Sequence, residues 1–118
     1  MTAVQRNLVI EKGATFRLNL RLKDSTGAYM NLTGYQGRMH VREALASETV
    51  ALDLSSSFTF DAEGRCRVKG AAALTSSLTI TAGVYDLEIQ SPDGDVERLF
   101  EGKIKVKANV TRPGGTTP

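Results

Sequence analysis

Residues that commonly perform acid–base chemistry are sparse in this sequence, and His40 is its single histidine. A hydrolase triad needs a nucleophile, a base and an orienting acid, so His40 is the one histidine that could serve as the base. It alternates with Arg38 and Arg42 on the polar side of a predicted strand. We interpret His40 as a surface histidine, with a catalytic or metal-binding role as the alternative.

Asp86 and Glu88 are the best match to a pair of catalytic carboxylates. Alternate residues of a strand lie on one face, roughly 7 Å apart, and some glycosidases use such a separation. The chain has no tryptophan that could line a sugar subsite. We therefore favour a solvated pair of surface charges and keep the glycosidase as the alternative.

The motifs that could bind a metal or a phosphate are incomplete. The acidic turn at residues 93–95, followed by Glu97, lacks the ligand spacing of a calcium loop and fits hairpin chemistry better. Single, scattered glycines form no phosphate-binding loop. We expect no catalytic residues, no metal and no cofactor.

Cys66 is the only cysteine, which excludes an intramolecular disulfide and a CxxC zinc site. It alternates with Arg65 and Arg67 in a predicted strand. Its side chain is therefore predicted to point inward as a small hydrophobe rather than to act as a nucleophile.

Composition indicates one globular domain. The chain has 118 residues, of which 41% are hydrophobic and 24% charged. A chain of this size buries roughly two-thirds of its unfolded surface. Its 15 basic and 13 acidic residues give a net charge of +2, which argues against phosphate-backbone binding. No apolar run predicts a secretion signal or a membrane span.

Apolar and polar residues alternate with a period of two in several segments, as in half-buried strands. The clearest are residues 15–23, and residues 83–90 and 96–108, which the turn at 92–95 joins into a hairpin. Further short strands are predicted at 8–10, 35–42, 50–54, 58–60 and 65–68. The predicted inward residues are Phe16, Leu18, Leu20, Leu22, Met39, Val41, Leu52, Val68, Leu87, Ile89, Ile104 and Val106.

About seven short strands separated by turns predict an all-β fold, a two-sheet antiparallel β-sandwich. One short helix is predicted near residues 71–79, with Leu74 and Leu78 on one face, and a helical turn within 42–49. The domain is predicted to span residues 1–111. Residues 112–118, rich in glycine and proline, are predicted to form a flexible tail.

Several segments in fixed order resemble a family of small proteins encoded among the structural genes of tailed bacteriophages. They are RNLVIEKGATFRLNLRLKDSTG (6–27), NLTGYQGRMHVRE (31–43), AGVYDLEIQSPDGDVERLFEGKIKV (82–106) and VTR (110–112). The same order is similar to the N-terminal domains of baseplate and tail-fibre attachment proteins. The resemblance covers nearly the whole chain.

This resemblance implies an immunoglobulin-like sandwich that docks onto a virus particle without catalysis. The expected function is a noncatalytic structural subunit of a tailed bacteriophage: a cement or decoration protein, a neck or tail component, or a baseplate adaptor. Its expected partners are other phage structural proteins, in many symmetric copies in the virion, which is assembled in the host cytoplasm. A membrane is not expected, and nucleic acid is disfavoured.

An alternative function is a carbohydrate-binding β-sandwich for adhesion to a host surface. Tyr29, Tyr35 and Tyr85 would be its stacking residues. Three tyrosines without a tryptophan form a thin platform, so this function ranks second.

The candidate interface residues are Lys103, Lys105, Lys107 and Arg112. The three lysines, which we call the lysine row, alternate along the last predicted strand and lie on one face. They could be solvated charges that discourage edge pairing, or a contact with an acidic neighbouring subunit. Nucleic acid is the third alternative, and the lack of an aromatic cluster argues against it.

Overall fold

The computed structural model describes residues 3–108 of the chain. Its strands are β1 (Val4–Gln5), β2 (Leu8–Glu11), β3 (Phe16–Arg21), β4 (Gln36–Arg42), β5 (Leu52–Asp53), β6 (Phe58–Phe60), β7 (Arg65–Gly70), β8 (Ala82–Gln90) and β9 (Val96–Lys107). A 3-10 turn spans Ser55–Ser57 and one helix, α1, spans Ala72–Ser76. The predicted tail at residues 112–118 lies outside the described part.

The strands form two sheets. The large sheet has the order β1-β9-β8-β4-β5, with β2 also paired to β9, and the small sheet has the order β3-β7-β6. A sheet built on β9, β8 and β4, packed on a second antiparallel sheet, is the arrangement of immunoglobulin-like sandwiches. The all-β sandwich predicted from the sequence is confirmed.

The two N-terminal strands pair in parallel with β9, which the alternation pattern did not predict. Val4 lies opposite Phe100, and Leu8 lies opposite Ile104. Between these two pairs the carbonyl of Arg6 lies against Gly102. A Cβ atom at position 102 would overlap the carbonyl oxygen of Arg6. Every other strand pair within residues 3–108 is antiparallel.

One hydrophobic cluster fills the space between the sheets. Of the predicted inward residues, all are buried except Leu20 and Leu22, which are half-buried and pack against the cluster. The buried residues that the sequence did not predict include Ile10, Leu32, Leu54 and Leu99.

Leu99 is buried because β9 carries a bulge. Leu87 pairs with Phe100 but Glu88 pairs with Arg98, so Leu99 is an extra residue. A bulge places two residues opposite one, and Leu99 therefore joins Phe100 on the core side. The alternation predicted from Phe100 to Ala108 begins directly after this bulge.

The helix predicted near 71–79 is present in shorter form as α1, which ends before Leu78, and the predicted face is wrong for Leu74. Leu78 is buried, whereas Leu74 is 38% exposed. Thr75 is buried instead, and its hydroxyl donates to the Ala14 carbonyl (2.8 Å) and accepts the Gly13 N–H (3.1 Å). These bonds fasten α1 to the turn between β2 and β3.

The helical turn predicted within 42–49 is not formed. Turns and bends follow β4 instead, and the Arg42 guanidinium donates to the carbonyls of Ser47 (2.7 Å) and Glu48 (2.8 Å). Because one side chain ties the loop to the end of β4, the segment is held without a helix.

Candidate functional site

The structure places His40 on the outer face of the large sheet, where its Nε2 lies 3.5 Å from Asp53 Oδ2. Asp53 also accepts the Ser55 N–H (2.9 Å). Hydrogen bonds from Ser55, with the nearby His40, hold the pKa of Asp53 below its usual value. In a catalytic triad the histidine lies between the serine and the acid. Here Asp53 lies between His40 and Ser55, so these three residues do not have the arrangement of a triad.

Asp86 and Glu88, the predicted carboxylate pair, share one cation. Arg98 lies 3.5 Å from Asp86 and 3.6 Å from Glu88, and it also contacts Glu101 at 3.8 Å. Arg38 lies 3.7 Å from Glu88. A glycosidase acid is kept protonated by an apolar pocket, but both carboxylates here are bound to arginine on a solvent-facing sheet.

The outer face of the large sheet has a shallow depression of about 590 Å³, which is lined by Asp86, Glu88, Arg98 and Glu101. Its walls also include Gln5, Leu45 and Val84. Exposed ion pairs of this kind each contribute about 0–1 kcal/mol to stability. Within this depression Arg98 neutralises the neighbouring carboxylates, whereas Lys103, which also lines it, forms no ion pair in residues 3–108.

The acidic turn at residues 93–95 closes the β8–β9 hairpin. Ser91 donates its N–H to the Asp95 carbonyl (2.8 Å), and Gly94 donates to Ser91 (2.9 Å) with a φ of 96°. Within residues 3–108, no group of three histidine, cysteine, aspartate or glutamate side chains is placed to hold a metal ion.

Cys66 lies in β7 between Leu20 and Phe60, with its side chain fully buried. Burial raises the pKa of its thiol to about 11. The inward orientation predicted from the sequence is confirmed.

The lysine row is exposed on the outer face of the large sheet. β9 pairs with β8 on one side and with β1 and β2 on the other. The lysines therefore do not protect a free edge, because β9 is an interior strand. None of the three ammonium groups lies within 4.0 Å of a carboxylate in residues 3–108. Arg112 lies outside the described residues.

A second cationic surface, which the alternation pattern did not predict, covers the small sheet. Arg17 lies opposite Lys69, Arg21 opposite Arg65, and Asn19 opposite Arg67. All six side chains point away from the core. We call the cations of this surface, Arg17, Arg21, Arg65, Arg67 and Lys69, the basic face.

Acidic residues neutralise one end of the basic face. Arg65 lies 2.7 Å from Glu63 and 3.3 Å from Asp61, and Arg21 lies 3.9 Å from Glu63. The hydrogen bonds to Glu63 and Asp61 raise the pKa of Arg65. Arg17, Arg67 and Lys69 form no ion pair within the described residues. The far end of the face thus keeps its positive charge.

The sequence signal for the basic face was the alternation of cations in two segments, 17–21 and 65–69. Each segment alone resembles an ordinary solvated strand face. Only the pairing of β3 with β7 brings like charges opposite each other, and this pairing joins residues that are far apart in sequence.

The three tyrosines do not form one platform. Tyr85 is buried, and its hydroxyl donates to the Arg6 carbonyl (2.6 Å). Tyr35 packs near Phe60, with ring centroids 6.3 Å apart. Tyr29 is exposed, and the Arg21 guanidinium stacks on its ring at 3.5 Å.

The described residues contain no helix that is long and apolar enough to cross a membrane.

No model of a known protein family matches the sequence, and no curated protein is significantly similar to it. One solved structure with a related arrangement is a mutant of the SrpA adhesin from Streptococcus sanguinis, at 14% sequence identity and a TM-score of 0.46. The match covers 93% of this chain and 60% of the adhesin chain. A likeness of this size carries no inference about function.

Proposed function

We propose that the chain is a noncatalytic structural subunit of a tailed bacteriophage particle that acts through protein–protein contacts. The observation that carries the proposal is the ordered set of sequence segments that resembles phage structural proteins. The first segment builds β2 and β3, the second builds β4, and the third builds the β8–β9 hairpin. The resemblance therefore includes strands of both sheets.

The surface of the sandwich supports a docking role. The basic face and the lysine row place unpaired cations on opposite outer faces. Charges that remain unpaired within a subunit are available to complement a neighbour and to set the register of assembly. A protein that joins several neighbours needs more than one such surface.

The place of the subunit is the virion, as a cement or decoration protein, a neck or tail component, or a baseplate adaptor. Its partners are other phage structural proteins. Many copies are arranged by the symmetry of the particle, because repeated contacts between identical subunits generate rings or helical arrays. Residues of the lysine row and Arg112 are the interface residues proposed from the sequence.

The carbohydrate-binding alternative receives less support from the geometry. It needs several exposed rings on one surface, but Tyr85 is buried and Tyr35 packs beside Phe60. Tyr29 alone remains exposed, and Arg21 covers one of its faces.

Deletion and complementation of the gene in the phage that encodes it test the proposed function. Particles made without the chain should lack one structural component and lose stability or infectivity, and the wild-type gene should restore both. A double variant, His40→Ala with Asp86→Asn, should complement as well as the wild type because no chemistry is required. Deletion particles of normal composition and infectivity, or failure of the folded double variant, would overturn the proposal.

A further inference from the structure

The strand β3 lies at the edge of the small sheet, and half of its backbone groups face outward. Leu22 donates its N–H to the Gly64 carbonyl (2.8 Å), which marks this pair as hydrogen-bonded in the β3–β7 ladder. Hydrogen-bonded and non-hydrogen-bonded pairs alternate in antiparallel sheets. The N–H and C=O groups of Arg17, Asn19 and Arg21 therefore point away from β7.

These outward groups are unused within the described part of the chain. No backbone hydrogen bond joins Arg17, Asn19 or Arg21 to another segment in residues 3–108. An unpaired strand edge is a template on which an extended segment of another chain can add as a further strand.

The charges beside this edge determine which kind of segment can pair with β3. A strand added to β3 would place alternate side chains on the outer side, beside Arg17 and Arg21, and the others on the core side, beside half-buried Leu20. Arg17 has no acidic partner within residues 3–108 and faces Lys69 across the sheet. Opposite charges on neighbouring strands stabilise pairing, whereas like charges destabilise it.

We infer that the β3 edge accepts an extended acidic segment of a different protein chain, with carboxylates at alternate positions and apolar residues between them. The inference rests on the proposed function and names the kind of partner that the subunit binds. A second copy of β3 does not fit, because antiparallel pairing centred on Asn19 would bring Arg17 opposite Arg21 of the other copy. Residues 109–118 of this chain do not fit either, because they contain Arg112 and no acidic residue.

A peptide-binding experiment with the full chain tests this inference. The probe is a fluorescent ten-residue peptide of alternating glutamate and valine, and its lysine–valine counterpart is the control. Anisotropy should show binding of the acidic peptide that weakens with salt, and hydrogen exchange should show protection of the amides of Arg17, Asn19 and Arg21. Binding of both peptides with equal affinity, or protection elsewhere, would overturn the inference.

Three variants separate strand addition from simple charge attraction. Arg17→Glu should weaken acidic-peptide binding about tenfold or more, whereas Lys105→Glu, an equal charge change on the other sheet, should not alter it. Asn19→Pro removes one outward N–H and leaves the hydrogen bonds between β3 and β7 in place, and edge strands tolerate proline. This variant should also bind the acidic peptide more weakly. Should Asn19→Pro not fold, a peptide with N-methylated alternate amides makes the same test, and it should bind more weakly.

The outcomes distinguish the partner from other polyanions. Loss of binding in Arg17→Glu with full binding of the N-methylated peptide would show attraction without strand addition and overturn the inference. A single-stranded oligonucleotide that binds more tightly than the acidic peptide would assign the basic face to nucleic acid instead. Absence of the chain from virus particles would overturn the proposed function. Binding of the acidic peptide to the purified chain would still show that the β3 edge accepts an added strand.

Discussion

At the scale of single residues, Cys66 shows how the fold determines the chemistry of a side chain. The thiolate is the reactive form of cysteine, and burial raises the pKa of this thiol to about 11. The folded protein should therefore resist a thiol reagent at pH 8, while denatured protein should react with one equivalent per chain. Native labelling at the rate of a free cysteine would contradict the burial of Cys66.

The turn between β6 and β7 predicts a pH dependence of stability. Asp61 accepts the N–H groups of Arg65 (3.0 Å) and Glu63 (2.9 Å) and pairs with the Arg65 guanidinium. These interactions, led by the Arg65 N–H, hold the pKa of Asp61 below 3.8. Because the pKa of Asp61 is lower in the folded state, ionised Asp61 stabilises the fold above pH 3.8. This stabilisation is lost as the pH falls through the folded-state pKa.

The variant Asp61→Ala tests that dependence by thermal unfolding. Its Tm should lie below that of the wild type at pH 7, and the difference should shrink as the pH falls below 3.8. Asp93→Ala is the control, because the Asp93 carboxylate accepts no hydrogen bond in the described residues. A difference in Tm that stays constant from pH 7 to pH 2 would show that Asp61 acts without its charge.

At the scale of elements, β3 has one face in the core and one in solvent. Leu18 is 6% exposed, whereas its neighbour Arg17 is exposed and forms no ion pair in residues 3–108. Leu18→Ala should lower the free energy of unfolding by about 2–5 kcal/mol, while Arg17→Ala should change it by about 0.5 kcal/mol or less. Equal losses in denaturant unfolding would refute the assigned faces.

The contact between β4 and β6 depends on the absence of a side chain at Gly37. A Cβ atom at this position would overlap the ring of Phe58, which packs between the sheets. Gly37→Ala should therefore destabilise the protein by about 1–3 kcal/mol through overpacking. The loss should largely disappear when Phe58→Ala is also present, since the two substitutions share one contact. Additive effects in the double variant would contradict this account.

Sequence periodicity predicted the positions of the strands better than it predicted which strands pair with each other. The strands at 15–23 and 35–42 follow a period of two because one side of each is buried. The bulge at Leu99 and the parallel pairing of β1 with β9 depend on contacts between strands, which a pattern within one strand does not contain. Leu32 was missed because it lies in a loop, where no alternation marks it as buried.

At the scale of the whole molecule, the sandwich was predictable and its surfaces were not. Alternation identified the side of each strand that faces solvent, including the lysine row. It could not show that β9 is an interior strand, nor that β3 and β7 unite their cations in the basic face. Surface properties of a β-sandwich arise from strand order, which is set by packing between distant segments.

Both outer faces therefore bear on the proposed function. Near its centre, the outer face of the large sheet pairs Arg98 with the carboxylates of Asp86, Glu88 and Glu101. The basic face and the lysine row retain unpaired cations, on opposite sides of the sandwich. Such a distribution fits the proposed role, in which one subunit contacts more than one neighbour.

The proposed place of the chain in a virion is tested most directly by cross-linking mass spectrometry on gradient-purified particles. We expect the chain at a fixed ratio to the other structural proteins, with cross-links from Lys69 or the lysine row to a neighbouring subunit. Recovery of the chain from the infected-cell lysate alone, with none in intact particles, would contradict the proposed function.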